Sequence, residues 1–258
     1  MENNINAWAK VQLARDKERP YAADYIDEIF DEFMELHGDR LSGDDGALIG
    51  GIGRVGDFYV TVLAQQKGRT VKQNMKRNFG MVSPEGYRKA QRLARMSEKF
   101  HRPILCLVDT PGAFCGIEAE ERRQGEAIAQ TIYQMSGLKT PILSIIIGEG
   151  GSGGALALAV ADEVWMAENA VYSILSPEGF ASILWKDSAK APEAADLMKM
   201  TAPELLEMGV VEKLLPEKES GGIEGQELRK EVLAFLSTYD KMDGEQLVSR
   251  RYERFRGL

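Results

Sequence analysis

The sequence predicts an α/β fold wound on parallel strands, on three observations. Short β-branched or aliphatic runs alternate with helical segments through the middle of the chain, at 104–108, 118–135, 142–147, 154–161 and 164–166. Repeated strand–helix alternation implies parallel strands joined by right-handed crossovers. No linker rich in Pro, Gly or Ser divides this stretch, so the successive units read as turns of one α/β spiral. With 258 residues, 44% of them hydrophobic, the chain can build a substantial core. The expected organisation is one domain over 1–258, with a helical N-terminal segment (1–41), a core (42–216) and a helical C-terminal segment (217–258).

Each element follows from local chemistry. The start reads as helix to about Leu41, with an acidic amphipathic piece over 24–36. The glycine-punctuated stretch that follows alternates apolar and polar residues and predicts a hairpin whose second strand is 58–65. Within it Gly51, Gly53 and Gly56 spell G-x-G-x-x-G, but a strand follows them where a dinucleotide site needs a helix. Ser83-Pro84-Glu85 predicts a helix start, with serine as cap, proline at the first position and an acid in the first turn. The phrase recurs at Ser176-Pro177-Glu178. Behind the first copy, Arg88, Arg92, Arg95 and Lys99 fall on one helical face as a basic stripe, opposite the packing residues Tyr87, Ala90, Leu93, Ala94 and Phe100. A strand at 104–108, a loop at 109–117, a helix at 118–135 and a strand at 142–147 lead into a glycine loop. A helix at 154–161 and short strands at 164–166 and 171–175 complete the core. From Gln226 the tail is amphipathic and ends in SRRYERFRGL, a docking helix.

Composition excludes several classes. Cys106 and Cys115 are the only cysteines, with no histidine beside either in a metal-finger pattern, so neither a disulfide framework nor a structural metal site is expected. The N-terminal MENNINAWAK lacks a signal pattern, and no apolar run reaches the ~20 residues of a membrane helix. The expectation is a soluble cytoplasmic protein, with neither a membrane nor a nucleic acid as partner. Net charge is −8, yet residues 66–102 hold eleven Lys/Arg against two Asp/Glu, a local +9 that leaves −17 elsewhere. Such asymmetry points to a polyanionic ligand or an acidic partner, or to a solvated helix face.

The richest signal is PILSIIIGEGGSGGALAL, residues 141–158, a strand feeding a glycine turn at a helix N-terminus. Glycines bring main-chain N–H groups close to a ligand and the helix adds its positive end, so the loop is built for negative charge, either a phosphate or a transient oxyanion. Gly150-Gly151-Ser152-Gly153-Gly154 also fits G-x-S-x-G, the nucleophile elbow of serine hydrolases. Against that reading, His37 and His101 both precede the serine, whereas an α/β-hydrolase places its histidine after it. Met198-Lys199-Met200 copies the core of a biotin attachment site, but its alanine-rich surroundings read as helix rather than hairpin tip. No G-K-[ST] closes Gly148-Glu149-Gly150, so no P-loop is present. Directly after the strand ILCLV comes Asp109-Thr110-Pro111-Gly112-Ala113-Phe114, a second loop offering accessible N–H groups. Two loops of this kind on neighbouring strands would make an oxyanion hole.

Taken together, QKGRTVKQNMKRNFGMVSPEGYRKAQRLA, DTPGAF, AEERRQGEAIA, IGEGGSGGALAL and SPEGFASILWKD resemble the carboxyltransferase α subunit of bacterial multisubunit acetyl-CoA carboxylase. The likeness runs from about Tyr21 to RRYERF, and five long phrases in order are far more specific than any one glycine motif. The resemblance implies a crotonase-like fold, a spiral of ββα units, and a reaction that moves CO₂ from carboxybiotin on a biotin carboxyl carrier protein to acetyl-CoA, giving malonyl-CoA for fatty acid synthesis. It implies a zinc-bearing carboxyltransferase β subunit as partner, an α₂β₂ assembly with the active site between α and β, and biotin carboxylase in the wider complex. No cofactor bound covalently by this chain is implied, and zinc is expected only in β. By motif alignment Gly153 is the chief backbone donor, with Gly150, Gly151 and Gly154 shaping the loop and Gly112 and Ala113 contributing from the second loop. The family implies that α supplies mainly the biotin-side hole. The basic residues Arg88, Arg92, Arg95, Lys99 and Arg122 are candidates for substrate contact, open between CoA phosphates, the carrier protein and β. Longer members carry a further N-terminal helical segment, which by this resemblance the sequence is expected to lack. Phe114-Cys115 also departs from the Tyr-Pro that often follows the loop alanine, and Cys115 is expected to pack passively. A crotonase-type hydratase would want an acid early in the helix after the glycines. Here Ala155, Leu156, Ala157 and Leu158 stand there, and the next acid is Asp162.

Overall fold

The computed structural model describes residues 5–258, so the first four residues of the expected helical segment lie outside the described residues. The N-terminal part comprises α1 (Ala7–Ala14), α2 (Ala22–Ile29), β1 (Glu32–Glu35), β2 (Leu48–Val55) and β3 (Phe58–Gln65). The middle comprises α3 (Val71–Lys76), α4 (Pro84–Lys99), β4 (Ile104–Thr110), α5 (Ile117–Glu121), α6 (Gln124–Gly137), β5 (Ile142–Gly151) and α7 (Ser152–Ala159). Then come β6 (Glu163–Ala167), β7 (Val171–Ser173), α8 (Pro177–Trp185), α9 (Ala191–Leu197), α10 (Ala202–Glu207), β8 (Lys213–Leu215), α11 (Gly225–Tyr239) and α12 (Gly244–Arg256).

The sheet runs β1-β2-β3-β4-β5-β6-β8. β1, β2 and β3 pair antiparallel, and every pair from β3 onward is parallel, as the strand–helix alternation requires. Central β4 is buried at all seven positions, which is why it reads as an unbroken aliphatic run instead of an alternating one. β5 has two partners in series: residues 143–146 pair with β6, and residues 149–151 pair with β7. The sheet therefore opens on one side of β5 at the glycine loop, where β7 and α8 branch away.

The structure corrects the sequence reading in five places. The amphipathic piece 24–36 is helical only to Ile29; Phe30 leaves the helix and 32–35 form β1 against β2. The cause is tertiary. A Cβ at Gly53 would lie 2.4 Å from the Phe30 ring and one at Gly51 2.5 Å from the Phe33 ring, so these two glycines of the G-x-G-x-x-G phrase seat aromatic rings. The expected helix 118–135 breaks in two because Arg123 adopts a left-handed φ of 65°, while the buried Gln124 amide holds the carbonyls of Val82 and Phe114 and fixes the start of α6. The glycine loop is shorter than expected: β5 continues to Gly151 and α7 begins at Ser152. The tail forms two helices, the second capped by Asp243. Ser83 sits at the cap of α4, but its N–H binds Asp45 Oδ2 and its side chain makes no cap bond; Ser176 does cap α8, accepting from the Gly179 N–H.

The chain ends are locked onto this sheet by buried ions. Arg251 of α12 is 1% exposed and donates to the carbonyls of Met135, Leu138 and Thr140 and to Asp162 Oδ2 at 2.8 Å. Arg19, between α1 and α2, pairs with Glu217 at 2.6 Å and binds the Ile147 carbonyl of β5. No helix among the described residues is long and apolar enough to cross a membrane.

Candidate functional site

Two loops leave the C-terminal ends of β4 and β5 side by side, because Thr110 pairs in register with Gly150. Their separation is set by the absence of side chains. A Cβ on Gly151 would lie 2.3 Å from the Pro111 carbonyl oxygen, and one on Gly154 would lie 2.6 Å from the Ala113 nitrogen. Only glycine at both positions lets the 109–114 loop rest against the start of α7. The first-turn N–H groups of a helix have no carbonyl one turn back, so α7 presents Gly153 and its neighbours as donors beside the Ala113 N–H. Ser152 enters α7 with φ 52°, which makes the strand-to-helix turn abrupt and leaves its side chain exposed. Behind the helix, Gln65 Nε2 donates to the Gly154 carbonyl at 2.8 Å and the Tyr87 hydroxyl to the same oxygen at 3.3 Å. Burial pushes the Tyr87 phenol well up, so it stays a neutral donor.

Gly112 does not serve as the expected donor. Its N–H is taken by Thr110 Oγ1 at 3.1 Å, and its φ of 150° marks it as the hinge that turns the loop. That leaves Ala113 from this loop, since the Phe114 N–H binds the Val82 carbonyl. Gly150 is a strand residue whose missing side chain makes room for the Tyr172 ring. Of the six predicted positions, Gly151, Gly153, Gly154 and Ala113 lie where the loops meet, whereas Gly112 and Gly150 shape that meeting.

Immediately beneath lies an ionic network that the sequence reading missed. Lys67 Nζ bridges Asp109 Oδ1 at 2.7 Å and Glu149 Oε2 at 3.2 Å, and Arg15 joins Glu149 at 2.7 Å to Glu178 at 2.6 Å. Asp109 Oδ1 also accepts the Glu149 N–H at 3.0 Å, tying the two strand ends together directly. Burial raises the Glu149 carboxyl, but Lys67 and Arg15 outweigh it and hold the group below the usual carboxylate range. For Lys67, burial favours the neutral amine, and the two carboxylates overcome it and hold the ammonium. One signal was present: three successive core strands each carry a charged residue within two positions of the C-terminal end. Without the strand order there was no reason to bring them together.

The basic stripe is engaged by the protein itself. Arg88 binds Asp39 Oδ2 at 2.8 Å and Ser42 Oγ at 2.7 Å, and Arg122 binds Glu85 at 2.6 Å. Arg92 donates to the Gly38 and His37 carbonyls, Arg95 to Gln134, and Lys99 lies over the Phe100 ring. The helix face thus serves largely to anchor the 37–46 loop. Exposed Lys72 and Lys76 on α3, beside exposed Val71, Met75 and Phe79, carry the positive charge of this segment outward.

The rival motifs separate cleanly. Neither histidine hydrogen-bonds Ser152 among the described residues: His37 Nδ1 lies 2.9 Å from Asp44, and His101 precedes β4 at the opposite end of the strands. Lys199 follows the end of α9 and pairs with Glu204 at 3.0 Å. Cys115 is exposed, contrary to the packing role expected of it, because the turn after Phe114 carries it outward; Cys106 is buried in β4. Among the described residues no group of three or more His, Cys, Asp or Glu is arranged to hold a metal ion.

Comparison with known proteins bears on this geometry. Residues 1–258 match the family described as acetyl co-enzyme A carboxylase carboxyltransferase-like. The chain is 53% identical over 265 residues to the acetyl-coenzyme A carboxylase carboxyl transferase subunit alpha of Clostridium acetobutylicum, covering all of this chain and 97% of that one. It is 55% identical over 258 residues to the subunit alpha of Clostridium perfringens, covering 98% and 95%. In Clostridium tetani a protein named as subunits beta/alpha is 52% identical over 99% of this chain, which spans only 45% of that longer protein. Among solved structures, the transcarboxylase 12S core superposes with a TM-score of 0.71 at 21% identity, covering 89% of this chain and 44% of that one. A Pseudomonas malonate decarboxylase hetero-tetramer in complex with coenzyme A gives 0.67 at 15%, covering 81% and 86%. At these identities the structural likeness speaks to the fold.

Proposed function

The chain belongs to the acetyl co-enzyme A carboxylase carboxyltransferase-like family, and from that premise we propose that it is the α subunit of an acetyl-CoA carboxylase carboxyltransferase, working as one crotonase-like domain in the cytoplasm. It transfers the carboxyl group of carboxybiotin, carried on a biotin carboxyl carrier protein, to acetyl-CoA. The product is malonyl-CoA for fatty acid synthesis. The observation that carries the reading is the contact between the two donor loops at Gly151, Gly154 and Ala113.

The chemistry asks for donors rather than for a nucleophile. Release of CO₂ from N1-carboxybiotin leaves the bonding pair on the ureido group, with negative charge on its oxygen. That anion takes the α-proton of acetyl-CoA, and the resulting enolate attacks CO₂. N–H groups of Gly153 and Ala113, fixed before the reaction begins, stabilise the ureido oxygen as charge develops; one such donor is typically worth about 3 to 4 kcal/mol of barrier. No side chain of the chain is required as base, which agrees with Ala155 to Leu158 standing where a hydratase would carry its acid. The thioester side, and the zinc, belong to the β subunit, consistent with relatives that carry beta and alpha in one chain. Biotin carboxylase completes the wider complex, and the working assembly is α₂β₂.

The test is reconstitution. The chain alone is expected to be inactive in the reverse reaction, malonyl-CoA plus biotin, and the chain co-purified with its β subunit is expected to be active. An inactive reconstituted complex refutes the reading. A serine hydrolase acting through Ser152 is the competing reading; retained carboxyl transfer in Ser152→Ala, with no fluorophosphonate label on the wild type, removes it.

A further inference from the structure

On that reading of the function, a residue outside the donor set also bears on the reaction. β3, β4 and β5 are consecutive parallel neighbours, and each places a charged residue within two positions of its C-terminal end, the three converging on one point: Lys67, Asp109 and Glu149. Their side chains are only 14%, 5% and 13% exposed. Asp109 and Glu149 stand at the roots of the two donor loops, two residues before Pro111 and Gly151. From α1, Arg15 adds a second cation, and from the start of α8 Glu178 adds a third carboxylate. The nearby Arg19 is matched by its own partner Glu217, and Tyr21 is the neutral neighbour of Lys67 and Asp109.

We propose that Lys67 is an electrostatic positioning residue for carboxyl transfer, the countercharge that lets loops rooted on two buried carboxylates stabilise an anion. The network of five groups carries a net −1 with Lys67 in place and −2 without it. The added charge would sit under the N–H groups that must accept negative charge in the transition state. By Coulomb's law at an effective dielectric of about 20, one unit charge at a separation of about 7 Å from a developing anion slows a step roughly fiftyfold, and that is the scale expected here. The burden is conditional on pH, because a buried carboxylate deprived of its cation takes up a proton more readily. As pH falls, protonation of Glu149 removes the excess charge, so the defect shrinks.

The experiment uses the complex of this chain with its β subunit, assayed with malonyl-CoA and biotin, with melting temperature and co-elution with β as folding controls. For Lys67→Met the expected result is a kcat lower by roughly fiftyfold at about pH 8.5, a KM for malonyl-CoA within about twofold, and a smaller deficit at about pH 6. Lys67→Arg restores the charge and is expected to recover most of the loss. Lys67→Met/Glu149→Gln returns the network to −1 and is expected to exceed Lys67→Met in kcat by about tenfold or more; if the single variant fails to assemble, the double variant is compared directly with wild type and expected within about tenfold of it. A loss equal at all pH values and unrelieved by Lys67→Arg or by the double variant overturns the proposal, as does an unchanged kcat in Lys67→Met. An inactive wild-type complex would instead overturn the underlying functional reading, so the two failures are told apart.

Discussion

The contact between the donor loops makes a prediction that depends on which glycine is changed. In Gly154→Ala the new methyl would begin 2.6 Å from the Ala113 nitrogen, a backbone atom that cannot rotate away. Ordinary contact at about 3.4 Å requires the 109–114 loop to retreat by about 0.8 Å, and displacements of about 1 Å in a positioned donor cost on the order of a hundredfold in rate. Gly151→Ala collides with the Pro111 carbonyl at 2.3 Å and should do at least as much damage. By contrast, a methyl on Gly153 meets only Ile128 Cγ2 at 3.6 Å, an ordinary contact, and the Gly153 N–H is kept. The chief donor is thus expected to tolerate Gly153→Ala with kcat within about threefold of wild type and a gain of up to about 1 kcal/mol from reduced freedom in the unfolded chain. The assay is the steady-state reverse reaction of the α–β complex, with co-elution to confirm that all three variants still assemble. Retention of kcat in Gly154→Ala within about threefold would refute the claim that loop separation sets the donor geometry. Equal damage from Gly153→Ala would refute the direction assigned to that residue's Cβ.

Other consequences follow from the buried ions and thiols. Arg251→Met strands Asp162 and several carbonyls in the core, and breaking such a pair costs about 3 to 5 kcal/mol, a fall of roughly 6 to 20 °C in melting temperature read by circular dichroism. Glu217 is pushed up by burial but held below the usual carboxylate range by Arg19, so its contribution to stability is complete above the unfolded value near 4.5 and is lost as pH falls through the lower folded value. Urea midpoints should therefore drop on acidification below about pH 4.5, and less steeply in Glu217→Gln. A thiol reagent should titrate one cysteine in the native chain, Cys115, and both in urea; burial pushes the Cys106 thiol far up and screens it.

Much of the fold was legible because it is written locally. The aliphatic runs that became β4 and β5, the Ser-Pro-Glu starts of α4 and α8, and the glycine turn each follow from the preferences of adjacent residues. What misled was also local: 24–36 has helical character, yet Phe30 and Phe33 gain more by seating their rings over Gly53 and Gly51 of a strand that pairs alongside. The break at Arg123 had no sequence signal, since it is imposed by the anchoring of Gln124 on Val82 and Phe114.

The sequence by itself determined that two glycine-shaped loops follow two core strands and that both histidines precede the loop serine. It also carried the phrases that identify the family. Only the tertiary structure decided that Gly112 turns its loop while Ala113 keeps its N–H available, that the basic helix face is absorbed by the 37–46 loop, and that Lys67, Asp109 and Glu149 share one buried site. The physical reason is range. Strand propensity and turn chemistry act between neighbours along the chain, whereas charge compensation acts between residues such as Lys67 and Glu149, 82 positions apart, that meet only when β3, β4 and β5 stand side by side.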